Sequence, residues 1–375
     1  MTTSDNDNLL WSPFVNRLEP YVPGEQPAQE DLIKLNTNES PYPPSPAAIA
    51  AIQNAAGDSL RLYPDPESKQ LKSVIAEYYS TKNCPLAQNN VFVGNGSDEV
   101  LAHAFNAFFR QDKPISFPDL TYSFYPVYCQ LYGIKYQQVP LCADFEIDVD
   151  DYDGPNGGII FPNPNAPTGI ALTRQAIIDL LEVNRHSVVI VDEAYIDFAE
   201  SDVQADPQAD KVSSVIDLTS CYNNLLVVHT LSKSRAFAGM RVGYAIGSAG
   251  LIDALQRVKN SFNSYPIDRL AEVAAIASFK DEEYFQSVRA KVIRNRNALT
   301  ESLTALGFNC LPSSANFLLV SHKDLDAKTI AAQLREQNII VRYFAIPRIS
   351  QFLRISIGSE QENQLLLAAI KTLLA

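Results

Sequence analysis

Short, unbroken apolar runs recur along the chain from residue 91 onward: VFVGNG (91–96), PISFP (114–118), GIIFPNP (158–164), SVVIVDEAY (187–195), LLVVHTLSK (225–233) and VGYAIG (242–247). None alternates polar with apolar positions. A strand apolar at every position is buried on both faces, as in a mostly parallel sheet covered by helices. Apolar residues at helical spacing separate these runs, over 67–82, 97–109 and near 173–185.

After Pro266 the pattern becomes a long helical stretch to about residue 306. Strands NFLLV (316–320), IIVRYF (339–344) and FLRISIG (352–358) follow, interleaved with helices at 326–338 and 360–374. The other end of the chain lacks periodicity and is dense in proline (Pro13, Pro20, Pro23, Pro27, Pro41, Pro43, Pro44, Pro46). Such a segment cannot form a helix interior and reads as an extended arm. The expected organisation is an N-terminal arm (1–45), a large three-layer α/β/α domain with a mostly parallel sheet (46–265), and a smaller α+β domain (266–375). No internal repeat or low-complexity tract interrupts it.

Composition narrows the partners. Hydrophobic residues make up 46% and charged residues 19%, ordinary for a soluble globular protein, and the formal net charge is −13. That charge repels nucleic acid and anionic membrane alike, so an anionic ligand must be met by a local basic cluster. Five scattered cysteines without a Cys-x-x-Cys pair, and four isolated histidines, argue against a disulfide framework or a metal site and fit the reducing cytoplasm. The polar start, Met1 to Asn8, does not resemble a signal peptide. No run approaches the roughly 20 apolar residues needed to span a bilayer.

The chemistry-bearing residues sit where apolar strands stop, which is where ligands gather in parallel α/β sheets. After Val93 come glycines, then Ser97 and Asp98 at a helix start, whose free N–H groups suit a phosphate and equally suit an ordinary N-cap. FPNPNAPTG (161–169) displays Asn163 and Asn165 on a proline-stiffened turn. Asp192 follows four consecutive β-branched residues, and a buried carboxylate needs a partner or becomes neutral. TLSKSRAFAGMRVG (230–243) carries Lys233 between hydroxyls, with Arg241 behind it. A desolvated lysine can attack a carbonyl, and arginine grips phosphate oxygens bidentately. Each has a bland reading as a cap, turn, ion pair or surface lysine. Together they describe a pocket for an anionic aldehyde, the specification of pyridoxal 5′-phosphate (PLP).

The chain resembles the fold-type I PLP-dependent aminotransferases. The likeness runs through LEPYVPGEQP (18–27), KLNTNESPYPPSP (34–46), LRLYPDP, FVGNGSDEV, FPNPNAPTG, VDEAYIDF, TLSKSRAFAGMRVG and VRYFAIPRISQFLRISIG (341–358), essentially the whole chain. It departs from the family's usual arm block at Ser40 and Pro44. The resemblance implies that Lys233 is the Schiff-base lysine and Asp192 the partner of the pyridine nitrogen. It implies Asn165 and Tyr195 at the ring's 3′-oxygen, Tyr122 on the ring face, and Ser97, Asp98, Thr230, Ser232 and Arg241 around the phosphate. It further implies a homodimer in which Tyr63 reaches the partner's phosphate, and substrate contacts from Arg354, Arg342, Tyr21, Tyr265 and Asn165. Arg348 shares a loop with Arg342, and the sequence does not choose between them. The nearest branch exchanges an amino group between histidinol phosphate and 2-oxoglutarate in histidine biosynthesis. A broad-specificity aromatic aminotransferase, or a PLP-dependent decarboxylase of a phosphorylated amino acid, shares the same blocks. A PLP-responsive regulator would carry a basic DNA-binding segment, which this acidic chain lacks.

Overall fold

The computed structural model describes residues 10–27, 31–200 and 212–374; the polar start at Met1–Asn8 lies outside them. In chain order the elements are β1 (Ile33–Leu35), α1 (Pro46–Ala55), α2 (Lys69–Tyr79), β2 (Val91–Asn95), α3 (Gly96–Phe108), β3 (Ile115–Pro118), α4 (Phe124–Tyr132), β4 (Tyr136–Val139), β5 (Ile159–Pro162), α5 (Arg174–Val183), β6 (Val189–Asp192), β7 (Leu225–Thr230) and β8 (Val242–Gly247). There follow α6 (Ala249–Asn260), α7 (Arg269–Lys280), α8 (Glu282–Ala305), β9 (Phe308–Cys310), β10 (Phe317–His322), α9 (Ala327–Glu336), β11 (Ile339–Tyr343), β12 (Phe352–Ser356) and α10 (Glu360–Leu374). Among the described residues no helix is long and apolar enough to cross a membrane.

The apolar runs form one seven-stranded sheet, ordered β2-β8-β7-β6-β5-β3-β4. Every residue of β5, β6, β7 and β8 is buried. Successive side chains point to opposite faces and build two separate apolar layers. Val189, Val191, Leu225, Val227 and Ile246 pack with α2, α5 and α7 on one side. Ile190, Leu226, Val228 and Ala245 pack with α3, α4 and α6 on the other. This is the three-layer architecture, held by side chains that each contribute roughly 1.5–3 kcal/mol on burial. Only β8 runs antiparallel to its neighbours. The loop Leu231–Arg241 that feeds it is too short for the helical crossover that a parallel strand needs.

A second sheet, ordered β1-β11-β12-β10-β9, packs with α8, α9 and α10 around Leu299, Leu303, Val320, Ile330, Leu334 and Ile355. The periodicity did not anticipate three features. The arm contributes β1, which pairs in parallel with β11 at Ile33↔Ile339 and Leu35↔Val341, because the stretch between Pro27 and Pro41 contains no proline. The helical stretch expected over 267–306 breaks at Asp281 (φ −95°, ψ 63°) into α7 and α8. Ala271, Ala274, Ala275 and Phe279 of α7 join the first core, so the two cores part near Asp281 rather than at the expected 265/266. Strand β4 escaped the apolar pattern because it is the sheet's edge, with Tyr136, Gln137 and Gln138 exposed.

Candidate active site

The parallel strands β5 and β6 deliver their last residues side by side, with Pro162 opposite Asp192 in the register and Asp192 opposite Val228 of β7. The candidate side chains lie at and just beyond these strand ends.

Asp192 is 4% exposed. Its Oδ2 accepts from the Tyr125 hydroxyl at 3.1 Å and its Oδ1 from the Ala194 N–H at 3.2 Å. Burial pushes its pKa up to about 6; these two hydrogen bonds and His229 pull the other way, while the negative charge of Asp98 adds to the rise. At neutral pH the carboxylate is mostly ionised, and a cation in the pocket would hold it so. The neighbouring Glu193 turns to the opposite face, where it accepts from Ser214 Oγ at 2.6 Å and the Val215 N–H at 2.8 Å and lies 2.7 Å from His229 Nε2. Burial works against protonation of His229, but the Glu193 carboxylate wins and raises its pKa.

Beyond β7, Lys233 Nζ donates to the Thr37 carbonyl at 3.2 Å and lies 5.8 Å from the centre of the Tyr195 ring. The Tyr195 hydroxyl accepts from Asn38 Nδ2 at 3.0 Å, and Asn38 is fixed in a left-handed conformation (φ 56°) by Ser356 and Asn316. Residues 37 and 38 of the arm thus close one wall of the pocket. Ser40, one of the two departures from the family block, accepts from the Tyr42 N–H at 3.2 Å and so closes the turn that follows.

A basic, glycine-lined cradle lies at the start of α3. A Cβ on Gly243 would sit 2.3 Å from the Ser97 nitrogen, and one on Gly96 would sit 2.5 Å from Arg241 Nη2, so both glycines are required by close approach. Arg241 is itself left-handed (φ 53°) and donates to Asp98 Oδ2 at 3.1 Å. The Tyr122 hydroxyl donates to the other oxygen, Oδ1, at 2.7 Å. The Asp98 carboxylate therefore holds Arg241 and Tyr122, leaving the first N–H groups of α3 to face the pocket. Thr230 Oγ1 accepts from the Ser232 N–H at 3.1 Å.

Arg354 closes the far side. Its guanidinium lies 5.4 Å from the Phe317 ring and 5.5 Å from the Phe344 ring, and its Nη2 donates to the Asn36 carbonyl at 2.9 Å. Burial lowers its pKa, and Arg342, directly opposite on β11, adds to that lowering. Arg348 is committed elsewhere, to Asp119 Oδ2 at 2.6 Å and to the Leu141 and Cys142 carbonyls, each at 3.0 Å. The two do not share a loop as expected: Arg342 lies on β11 beside Arg354, and Arg348 in the turn that follows. The Tyr21 ring packs on Phe124, 4.4 Å between centroids.

Two candidates stand out as exposed. Tyr63 is 79% and Tyr265 41% exposed, and their rings stack on each other at 4.6 Å and 21°. Sequence reasoning missed Tyr125, Thr37 and Asn38. Nothing marks Tyr125 as different from other core tyrosines, whereas Thr37 and Asn38 lie in the quoted arm block.

Several buried polar atoms near these side chains have no hydrogen-bond partner among the described residues: Ser232 Oγ, Asn165 Oδ1, Thr121 Oγ1 and Arg354 Nε. An unpaired buried polar atom costs about 1–3 kcal/mol, so atoms of this kind beside the candidate side chains suit a polar ligand. The set offers an amine, an ionisable carboxylate, a phosphate-sized cradle with Arg241, and a separate pair of arginines. It fits a phosphorylated aromatic aldehyde together with an anionic substrate.

Comparison with known proteins points the same way. The family model of aminotransferase class I and II matches residues 30–370. Histidinol-phosphate aminotransferase 1 of Hydrogenovibrio crunogenus is 57% identical over 97% of this chain and 98% of its own length. Histidinol-phosphate aminotransferase of Pseudomonas entomophila is 56% identical over 96% and 99%. In fold, the chain matches the histidinol-phosphate aminotransferase of Sinorhizobium meliloti in complex with pyridoxal 5′-phosphate, with a TM-score of 0.84 and 24% identity over 97% of this chain and 98% of that one. With the family model and full-length relatives in agreement with the pocket, the chain belongs to the class I and II aminotransferases.

Proposed function

We propose that this chain is a PLP-dependent transaminase that moves an amino group between histidinol phosphate and 2-oxoglutarate, in histidine biosynthesis. The observation that carries the reading is the meeting of Lys233, Asp192 and the Arg241 cradle at the ends of β6, β7 and β2, beside buried polar atoms without partners. The full-length relatives named above support the choice of substrate.

When bound, PLP supplies a carbonyl carbon for capture of an amine and a ring that accepts the electrons of a substrate C–H bond. Lys233 Nζ would hold that carbon. Its amine, when free, would be the group able to take the proton from the substrate Cα and return it. Asp192 keeps the ring nitrogen protonated, and Tyr125 with the Ala194 N–H keeps Asp192 oriented. Ser97, Asp98 (through backbone N–H), Thr230, Ser232 and Arg241 would receive the phosphate. Tyr122 would cover the ring face, and Asn165 with Tyr195 would meet its 3′-oxygen. Arg354 and Arg342 would grip the carboxylate of one substrate or the phosphate of the other, with Tyr21 alongside. The Arg354 guanidinium, held between the Phe317 and Phe344 rings, is suited to that.

The exposed Tyr63 ring, stacked on Tyr265, supports a homodimer in which Tyr63 enters the partner's pocket. A cytoplasmic setting agrees with the free cysteines. The test is to mix the purified protein, histidinol phosphate and 2-oxoglutarate and assay glutamate. Borohydride should fix the cofactor to wild type but not to Lys233→Ala. No glutamate, or an unchanged adduct in the variant, refutes the reading.

A further inference from the structure

Lys259, in the last turn of α6, is 2% exposed, yet it carries an ammonium. Its Nζ donates to the Pro66 carbonyl at 2.6 Å and the Ser264 carbonyl at 3.4 Å, and lies 3.8 Å from Glu67 Oε1. A second buried lysine, Lys72 of α2, lies 3.8 Å from Glu67 Oε2 and donates to Gln256 Oε1 at 3.3 Å. Gln256 in turn donates to Glu67 Oε1 at 2.9 Å. Burying ammonium groups is costly, and a well-packed apolar pair usually serves stability as well or better. Core packing alone therefore does not explain Lys259.

Its two carbonyl partners do. Ser264 immediately precedes Tyr265, and Pro66 follows Tyr63 by three positions. These are the loops whose exposed rings stack on each other. The same two loops are fastened from the other side. Arg269 Nη2 donates to the Tyr63 carbonyl at 3.1 Å, and Asn95 Nδ2 donates to the Pro266 carbonyl at 3.1 Å. Asn95 directly precedes α3, whose first turn forms the cradle.

We propose that Lys259 is a positioning residue that clamps the two tyrosine loops into one preformed ledge, so that Tyr63 reaches the phosphate of the partner's cofactor already oriented. This rests on the reading that Tyr63 crosses a dimer interface. A ledge assembled before the subunits meet loses no ordering entropy on association, which is how preorganisation raises affinity. Lys259 never touches the ligand; it acts through backbone carbonyls.

The test is a double-mutant cycle on cofactor affinity, read by titrating PLP into the cofactor-free, full-length dimer without substrate. Tyr63→Phe and Lys259→Met should each weaken binding about 5–20-fold, the loss of one charge-assisted contact. The double variant should bind within about 2-fold of Tyr63→Phe alone, because coupled residues are not additive. Lys72→Met, in the same buried cluster but away from both loop carbonyls, should stay within about 2-fold of wild type by the same logic. If Lys259→Met does not fold, the smaller Lys259→Ala, which likewise has no donor for either loop carbonyl, takes its place in the cycle. Wild-type affinity in the Lys259 variant, multiplying effects in the double variant, or equal losses from Lys72 and Lys259 each overturn the proposal. A dimeric Tyr63→Phe protein with normal affinity overturns the reading beneath it.

Discussion

Asp192 is asked for two incompatible things, to be buried among strands and to stay charged. Its pKa in the folded, cofactor-free chain is about 6, above the ordinary carboxylate value. The folded chain therefore takes up a proton between about pH 4 and 6 that the unfolded chain does not hold. This group's contribution to stability is full below that window and is lost as pH rises through it. Asp192→Asn, which cannot ionise, should spare the cofactor-free protein roughly 1–3 kcal/mol above pH 6, the penalty less the hydrogen bond lost by the amide. Its Tm should lie a little below wild type near pH 4, where only the lost hydrogen bond counts, and gain on it increasingly toward pH 6, while turnover falls on the order of 10²-fold or more. A Tm difference that does not change with pH would show that burial is not what raises Asp192. Arg354 gives the complementary case. Arg354→Ala should leave PLP absorbance intact and cut kcat/KM about 10²-fold, or roughly 2–4 kcal/mol, for the loss of a charge-assisted grip. Normal turnover in that variant would remove Arg354 from the substrate's binding set. At this scale the charged residues were legible because they follow unbroken apolar runs, an unusual place for Asp192 or Lys233. Tyr125 was not legible, since a tyrosine that orients Asp192 has the same local pattern as one that only fills the core. The choice between Arg342 and Arg348 needed Asp119, which is over 220 positions away in sequence.

Elements bring these residues within reach of one another, and the closest approach is between β8 and the start of α3. Gly243 of β8 leaves no space for a Cβ against Gly96 and Ser97. Gly243→Ala should push the first turn of α3 outward, lower Tm by several degrees at a cost of roughly 1–3 kcal/mol, and weaken PLP binding more than Gly239→Ala, where nothing crowds the new Cβ. Equal behaviour of the two variants, compared by thermal unfolding and PLP titration, would mean the cradle does not depend on this contact. The long buried strands were legible because burial on both faces leaves a continuous apolar signature. Strands β1 and β4 were not, since one is three residues pairing with a distant strand and the other is an edge facing water. The break at Asp281 was hidden as well. Both α7 and α8 keep helical spacing, and only the change of core against which they pack marks the joint.

The whole molecule carries net charge −13 and handles anions, so binding depends on local cations set against a repulsive field. In that setting an exposed tyrosine stack on the monomer is hard to account for unless a second copy covers it. Leu60, Leu62 and Phe262, close in sequence to Tyr63 or Tyr265, are likewise at least half exposed. The proposed dimer makes a complementation test possible. Lys233→Ala chains supply Tyr63 but no lysine, and Tyr63→Ala chains supply the lysine but not the ring. If Tyr63 serves its own pocket, no pairing of the two variants yields an intact site. If it serves the partner's, each mixed dimer contains one complete site. Random assortment then makes half the dimers mixed, and about a quarter of all sites regain function, by the symmetry of a twofold assembly. Co-refolding the two variants in equal amounts and measuring glutamate formation decides the matter. Activity near a quarter of wild type places Tyr63 across the interface, whereas activity no higher than the average of the two parents returns it to its own subunit.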